Sequence, residues 1–248
     1  MISPLVPGLS IHDTSSQADT LPGYNFSIKP DCTVYRKEDQ NVTGTVSRLA
    51  EFFVEFRSST EDDPFIAPPV ATEPIGSNDP EHFLTHHTPR RRHVLGQLGT
   101  YAAIHIDSQY RTHPLLVLII NNYARLMRWD RSGVIFTEAI YYNEQQEFLE
   151  FFEYSTNRAN PEVRGSDLTL EKPTHDELYA ASQTCPGFAD VSETFLVISL
   201  HNEVCHPKPH RYIIPSPYVR HSLPVGRCTR TSTAYDIQEN KHVYMKAF

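Results

Sequence analysis

The chain holds 248 residues, 39% of them hydrophobic and 11% aromatic, with a formal net charge of -8 at neutral pH. That is enough apolar matter for one large core or two modest ones, since domains mostly hold ~100–150 residues. The acidic balance disfavours indiscriminate binding to DNA, RNA or an anionic membrane, and no apolar run approaches the ~20 residues needed to span a bilayer.

The opening MISPLVPGLSIHD lacks a basic segment and carries two prolines in its apolar part, which makes a poor signal peptide. An intracellular protein, cytoplasmic or nuclear, is expected. Cys32, Cys185, Cys205 and Cys228 are scattered without paired spacing, so reduced thiols are expected rather than a disulfide framework or a zinc knuckle. Arg90-Arg91-Arg92-His93 is the one local basic run, and at a helix start it reads as a solvated face.

In chain order, residues 1–22 are rich in Ser, Pro, Asp and Thr without hydrophobic period, and are expected to be disordered. The next domain is expected over 23–190. FSIKPDCTVYRK reads as a strand bent at Pro30, and Phe52–Arg57 as a second strand. The acidic, proline-punctuated run from Thr60 to Pro89 reads as a linker or lid. Val94, Leu98, Tyr101, Ala102 and His105 recur on one face of a helix over Pro89–Gln109. Leu115–Ile120 is a branched apolar run of strand length, closed by the turn pair Asn121-Asn122. Two further strands follow, broken at Asp130-Arg131-Ser132-Gly133, where Arg128, Asp130 and Arg131 are expected to clasp one another. Glu144–Asn157 reads as an amphipathic helix with Phe148, Phe151, Phe152 and Ser155 inward, and His175–Thr184 as a short helix. From Glu193 the pattern turns to short strands, which sets a boundary near residue 190. The 58 or so residues over 191–248 are few for a large core of their own.

Three of these elements place chemistry together. Asp31 leads one strand, Glu55 and Arg57 share a face of the next by strand alternation, and Gln97 and Tyr101 share a helix face. This set resembles the restriction-endonuclease-like fold, with its pattern of Asp, then Glu-x-Lys, then Gln-x-x-x-Tyr on a helix. The resemblance implies a mixed sheet flanked by helices and Mg2+ held by Asp31 and Glu55. The departure is Arg57 where the pattern has lysine. Arginine stays charged and cannot serve as a base, so the exchange keeps geometry and removes chemistry. The bland alternative is a plain Glu55–Arg57 salt bridge. Elsewhere, His201 to His206 with His210 beyond lacks paired zinc spacing, and no GxSxG elbow raises a serine above the others.

RTHPLLVLIINNYARLMRWDRSGVIFTEAIYY, with Gly96-Gln97-Leu98-Gly99-Thr100-Tyr101-Ala102 before it and Phe148-Leu149-Glu150-Phe151-Phe152 after it, closely resembles the fungal-type protein kinase family, from about Lys29 to the last residue. The resemblance implies a non-catalytic N-terminal region joined to a kinase domain, whose activity is ATP-dependent phosphoryl transfer to protein with Mg2+. LPVGRCTRTSTAYDIQENKHVYMK resembles the opening strands of that domain. Lys246 would then reach the ATP phosphates, with Gly226 and Thr229 in the phosphate loop. No HRD, DFG or APE run stands in this chain. The expected architecture is therefore α/β (α+β): a nuclease-like domain followed by a truncated, β-rich start of a kinase N-lobe. The expected role is regulation or docking, catalytically silent alone, without a cofactor of its own, and partnered by another protein or the rest of the kinase domain. A Mg2+-dependent nuclease and a stand-alone binding protein acting as a decoy are the alternatives.

Overall fold

The computed structural model describes residues 8–19, 26–65, 88–155, 160–189, 195–202, 206–215, 224–226 and 230–247. The chain is mixed α and β, with two sheets and three α-helices among those residues. It divides into two compact units, 1–165 with 219–226, and 166–218 with 227–248.

The first unit is built on a six-stranded sheet in sequence order: β1 (Leu9–Asp13), β2 (Cys32–Arg36), β3 (Ala50–Arg57), β4 (Leu115–Ile120), β5 (Tyr123–Asp130) and β6 (Gly133–Phe136). Neighbours are antiparallel except β3 and β4, which run parallel from Phe52↔Leu115 to Arg57↔Ile120. A parallel pair needs a long crossover, and α1 (Pro89–Gln109) lies within it. The side chain of Thr88 accepts from the Arg91 N–H, Pro89 takes the first turn where its missing N–H costs nothing, and Tyr110 ends the helix in the left-handed conformation.

Strand alternation divides the core between the two faces. Phe53, Leu116, Leu118, Ile120, Met127 and Trp129 pack with Val94, Leu98, Tyr101 and Ile104 of α1. Phe52, Val54, Val117 and Ala124 pack with Phe148 and Phe152 of α2 (Glu147–Glu153). Phe152 meets Phe52 and Phe148 edge-on at centroid distances of 5.6 and 5.1 Å, and Phe151 meets Phe52 at 5.7 Å. α2 is shorter than the expected Glu144–Asn157, and residues 156–159 lie outside the described residues.

Three local expectations change. Leu9–Asp13 is not disordered: it is the edge strand β1, paired with β2 from Leu9↔Arg36 to Asp13↔Cys32 and anchored by the buried Leu9. The first residues of the acidic run after β3 belong to the core, where Tyr123 Oη (2.9 Å) and Arg125 Nε (2.8 Å) donate to Asp63 Oδ2 and Phe65 stacks on Phe136 at 4.1 Å. The rest of that run, 66–87, lies outside the described residues. The clasp at the second turn does not form either. Asp130 Oδ1 accepts from the backbone N–H groups of Ser132 and Gly133 in its own turn, while Arg131 pairs with the buried Asp107 at 3.2 Å.

The second unit is a five-stranded antiparallel sheet, ordered β11 (Lys241–Ala247), β10 (Arg230–Asp236), β9 (His206–Pro215), β8 (Phe195–Asn202), β7 (Leu170–Glu171). α3 (His175–Thr184) starts with a capping box formed by Thr174 and Glu177. Ala181, Cys185 and Phe188 pack with Phe195, Val197, Ile213 and Tyr235. The boundary between the units therefore falls at 165/166 rather than at 190, because β7 pairs with β8 and α3 supplies one side of this core.

Gly165 pins the last turn of the first unit. Its φ is +90°, and a Cβ there would stand 1.8 Å from the His113 carbonyl oxygen, while its own carbonyl accepts from the Thr112 N–H at 2.8 Å. Gly165→Ala is expected to destabilise the chain by more than the ~1–3 kcal/mol of a strained backbone, since the turn must also move. Urea denaturation measures this, and a loss within ~0.5 kcal/mol, the range of surface substitutions, would contradict it.

Candidate functional site: a closed carboxylate–arginine circuit

Asp31, Glu55, Arg57, Gln97 and Tyr101 converge. Glu55 and Arg57 lie two residues apart on β3 and so project from one face, the face covered by α1. Gln97 and Tyr101 lie one helical turn apart on α1. Asp31 stands one residue before β2, whose antiparallel register pairs Cys32 with Val54, and so it comes beside the end of β3.

The polar contacts form a circuit. Arg57 Nη1 donates to Glu55 Oε1 at 2.5 Å and to the Phe56 carbonyl at 2.7 Å, and Arg57 Nη2 donates to Gln97 Oε1 at 2.5 Å. Gln97 Nε2 then donates to Glu55 Oε1 at 2.9 Å and to Tyr101 Oη at 2.6 Å. Tyr101 Oη reaches the Lys29 carbonyl at 3.1 Å and Glu55 Oε2 at 3.2 Å. Asp31 Oδ2 accepts from the Phe56 N–H at 2.8 Å and lies 4.0 Å from Arg57 Nη1.

Glu55 is buried, its side chain 4% exposed, whereas Asp31 is 34% exposed. Burial pushes the Glu55 carboxyl above its usual range; Arg57 opposes the rise and Asp31 adds to it. Burial and the Glu55 charge also raise the Tyr101 phenol, which remains a donor. Cys32 is pushed up to about 11 by burial and then by Asp13, Asp31 and Glu55, so it stays a protonated thiol and a poor nucleophile.

The circuit tests the fit of a divalent cation. Both oxygens of Glu55 already accept hydrogen bonds, one oxygen of Asp31 is taken by a backbone N–H, and a permanently charged guanidinium stands against both carboxylates. Mg2+ prefers six oxygens, waters included, in near-octahedral array. Among the described residues no group of three or more His, Cys, Asp or Glu gathers for a metal. The donor set at Asp31 and Glu55 therefore does not fit the ion that the nuclease pattern implies.

The residues expected to meet ATP do not gather in one unit. Lys246 lies exposed on β11 opposite Thr231, in the second unit. Gly226, at φ +98°, donates its N–H to the Arg131 carbonyl at 2.9 Å and belongs to the first unit, and Thr229 lies outside the described residues. His210 is paired: its Nε2 lies 2.9 Å from both carboxylate oxygens of Asp236. Burial opposes the charge on Asp236, but the Glu239 N–H and His210 outweigh it and hold the carboxyl below its usual range. The sequence carries no local signal for that pair, which meets across β9 and β10. No described helix is long and apolar enough to cross a membrane. No family model, curated protein or solved structure matches the chain.

A raised carboxyl fixes the sign of a pH effect. The folded state holds the Glu55 proton above the ordinary value of 4.5, so this group's contribution to stability is full below that pH and is lost as pH rises through the folded value. Glu55→Gln removes the titrating carboxyl. Its stability relative to wild type should rise as pH goes from 4 to 7, measured by denaturant melts across that range; a gap that stays flat or narrows would contradict the buried, proton-favouring site.

Proposed function

We propose that this chain is a catalytically silent regulatory or docking module of the fungal-type protein kinase class, whose nuclease-like α/β unit uses Arg57 in place of a metal. The observation that carries the reading is the Arg57 guanidinium bonded to Glu55 and Gln97 and set against Asp31. Arginine remains charged at any working pH, so the buried Glu55 carboxylate is compensated from within and folding it there calls for no ion. Hydrolysis needs a base or a metal-activated water, and a guanidinium supplies neither. What remains is a rigid three-layer unit suited to holding a partner, either another protein or a kinase domain.

Three measurements test this. Arg57→Ala leaves a buried carboxylate without its counter-ion and should cost about 3–5 kcal/mol at neutral pH, with a smaller loss as pH falls and Glu55 takes up a proton. Mg2+ should leave wild-type melting unchanged, and neither wild type nor Arg57→Lys should cleave DNA. Metal-dependent cleavage lost in both Asp31→Ala and Glu55→Ala would replace this reading with a nuclease.

The same reading assigns Lys246 no nucleotide in this chain alone. Calorimetric titration with Mg-ATP should give no micromolar binding, and binding abolished by Lys246→Ala would overturn the assignment.

A further inference from the structure

α2 carries a second ordered stripe besides the one it buries. Phe148 and Phe152 face the sheet. Glu147, Glu150, Phe151 and Tyr154 follow the i, i+3, i+4, i+7 spacing of one helix face, and with Glu153 they line an open hollow of about 510 Å3. That volume lies within the ~300–1,000 Å3 of clefts that take a ligand.

The two halves of the stripe differ. Glu147 and Glu150 stand in the first turn, where the helix dipole favours negative charge, and neither has a cationic partner among the described residues. The dipole accounts for carboxylates there and for nothing beyond them. It does not account for Tyr154, 47% exposed one turn on from Glu150, or for Phe151, whose ring is held edge-on by Phe52 at 5.7 Å and Phe152 at 5.4 Å. An aromatic wall fixed from behind, beside carboxylates without counter-ions, is complementary to a flat cation. A guanidinium is that cation: it stacks on a ring and forks to a carboxylate.

We propose that this face of α2 seats a basic segment of a partner protein, with one arginine stacked on Tyr154 and paired with Glu150 and a second paired with Glu147. The two glutamates stand ~4.5 Å apart along the helix at ~1.5 Å per residue. Alternate residues of an extended segment stand ~6.6 Å apart on one side, a difference that long arginine side chains span. The open side of the hollow leaves room for the partner backbone to run past, and the net charge of -8 favours the approach of a basic partner. This supplies the partner chemistry for the docking role proposed above and rests on it. The two fail separately: loss of the peptide site leaves the Arg57 circuit silent, and DNA cleavage by the wild type leaves peptide binding to be read on its own.

The probe is a fluorescein-labelled Ala-Arg-Ala-Arg-Ala peptide, titrated with the full chain by fluorescence anisotropy at about 0.15 M salt, where charges more than ~8 Å apart are screened. Saturable binding is expected. Glu150→Gln and Tyr154→Ser should each weaken it by about threefold or more, as loss of one exposed ion pair or one cation–ring contact does. Both side chains are exposed, so both variants should melt as the wild type does. Asp176→Asn removes the same charge from a fully exposed place in the second unit and should leave binding unchanged. Lysine in place of both arginines of the peptide should weaken binding, because an ammonium has neither fork nor flat face. Binding that ignores Glu150→Gln and Tyr154→Ser, that falls equally in Asp176→Asn, or that is equal for the lysine peptide would overturn the site. So would a dimer in sedimentation that Tyr154→Ser dissociates, which assigns the face to a second copy of the chain.

Discussion

The first unit depends on a charge it cannot lose. β3 is a central strand whose apolar residues from Ala50 to Val54 are buried on both faces, and near its end a buried glutamate, Glu55, stands beside Asp31. Two carboxylates brought together at a partly dry place repel, and folding them there needs a positive charge. Arg57 supplies it from the same strand, two residues on, so no separate binding event is required. The compensation also serves as a structural tie. Through Gln97 it fastens α1 to the end of β3, and through Tyr101 and the Lys29 carbonyl it fastens both to the approach to β2. Lysine in that place would carry the charge without the fork that reaches Glu55 and Gln97 together.

The two ends of β3 carry opposite imbalances. At Arg57 one cation faces two carboxylates, whereas at Glu51 one carboxylate faces three cations. Six residues of extended chain separate them, about 20 Å at ~3.3 Å per residue, several times the ~4–6 Å over which a charge governs its neighbour's protonation. The ends therefore act separately. The carboxylate end is closed by its own arginine and every principal donor there has an acceptor, while the arginine end keeps a buried donor without one. Unmet hydrogen-bonding capacity at Arg36, more than charge count, distinguishes the two ends.

The parts of this structure that were legible in the sequence are those where a short-range rule decides the outcome. Leu115–Ile120 with Asn121-Asn122 gives the β4–β5 hairpin because a branched apolar run and a residue tolerating φ of 52° leave few alternatives. The site was legible because strand period links Glu55 to Arg57 and helix period links Gln97 to Tyr101; only Asp31 depended on tertiary register. LSIHD was hard to read as a strand because its alternation, Leu9 and Ile11 against Ser10 and His12, spans only four residues, and its strand state comes from pairing with β2. The arginine cluster was illegible for a stronger reason. Arg36, Glu51, Arg111 and Arg164 come from separate places in the chain, and no spacing relates them before the sheet and α1 bring them together.

The unit boundary shows the same limit at a larger scale. Composition changes near residue 190, where strands replace helix, yet α3 buries Ala181 against strands that follow it, and Arg211 on β9 reaches back to pair with Glu171 and Glu177. A cut at 190 would divide that core and leave Phe195, Val197 and Ile213 without the helix that covers them. The chain also returns to the first unit over 219–226, between β9 and β10, where Pro224 lies near Gly99 and the Gly226 N–H meets the Arg131 carbonyl. No single cut therefore separates the units. The second core is complete only when sequence from both sides of that return is present, since Phe195, Val197 and Ile213 precede it and Tyr235 follows it, so the whole chain, rather than either stretch marked out by composition, is the object on which stability and binding have to be measured.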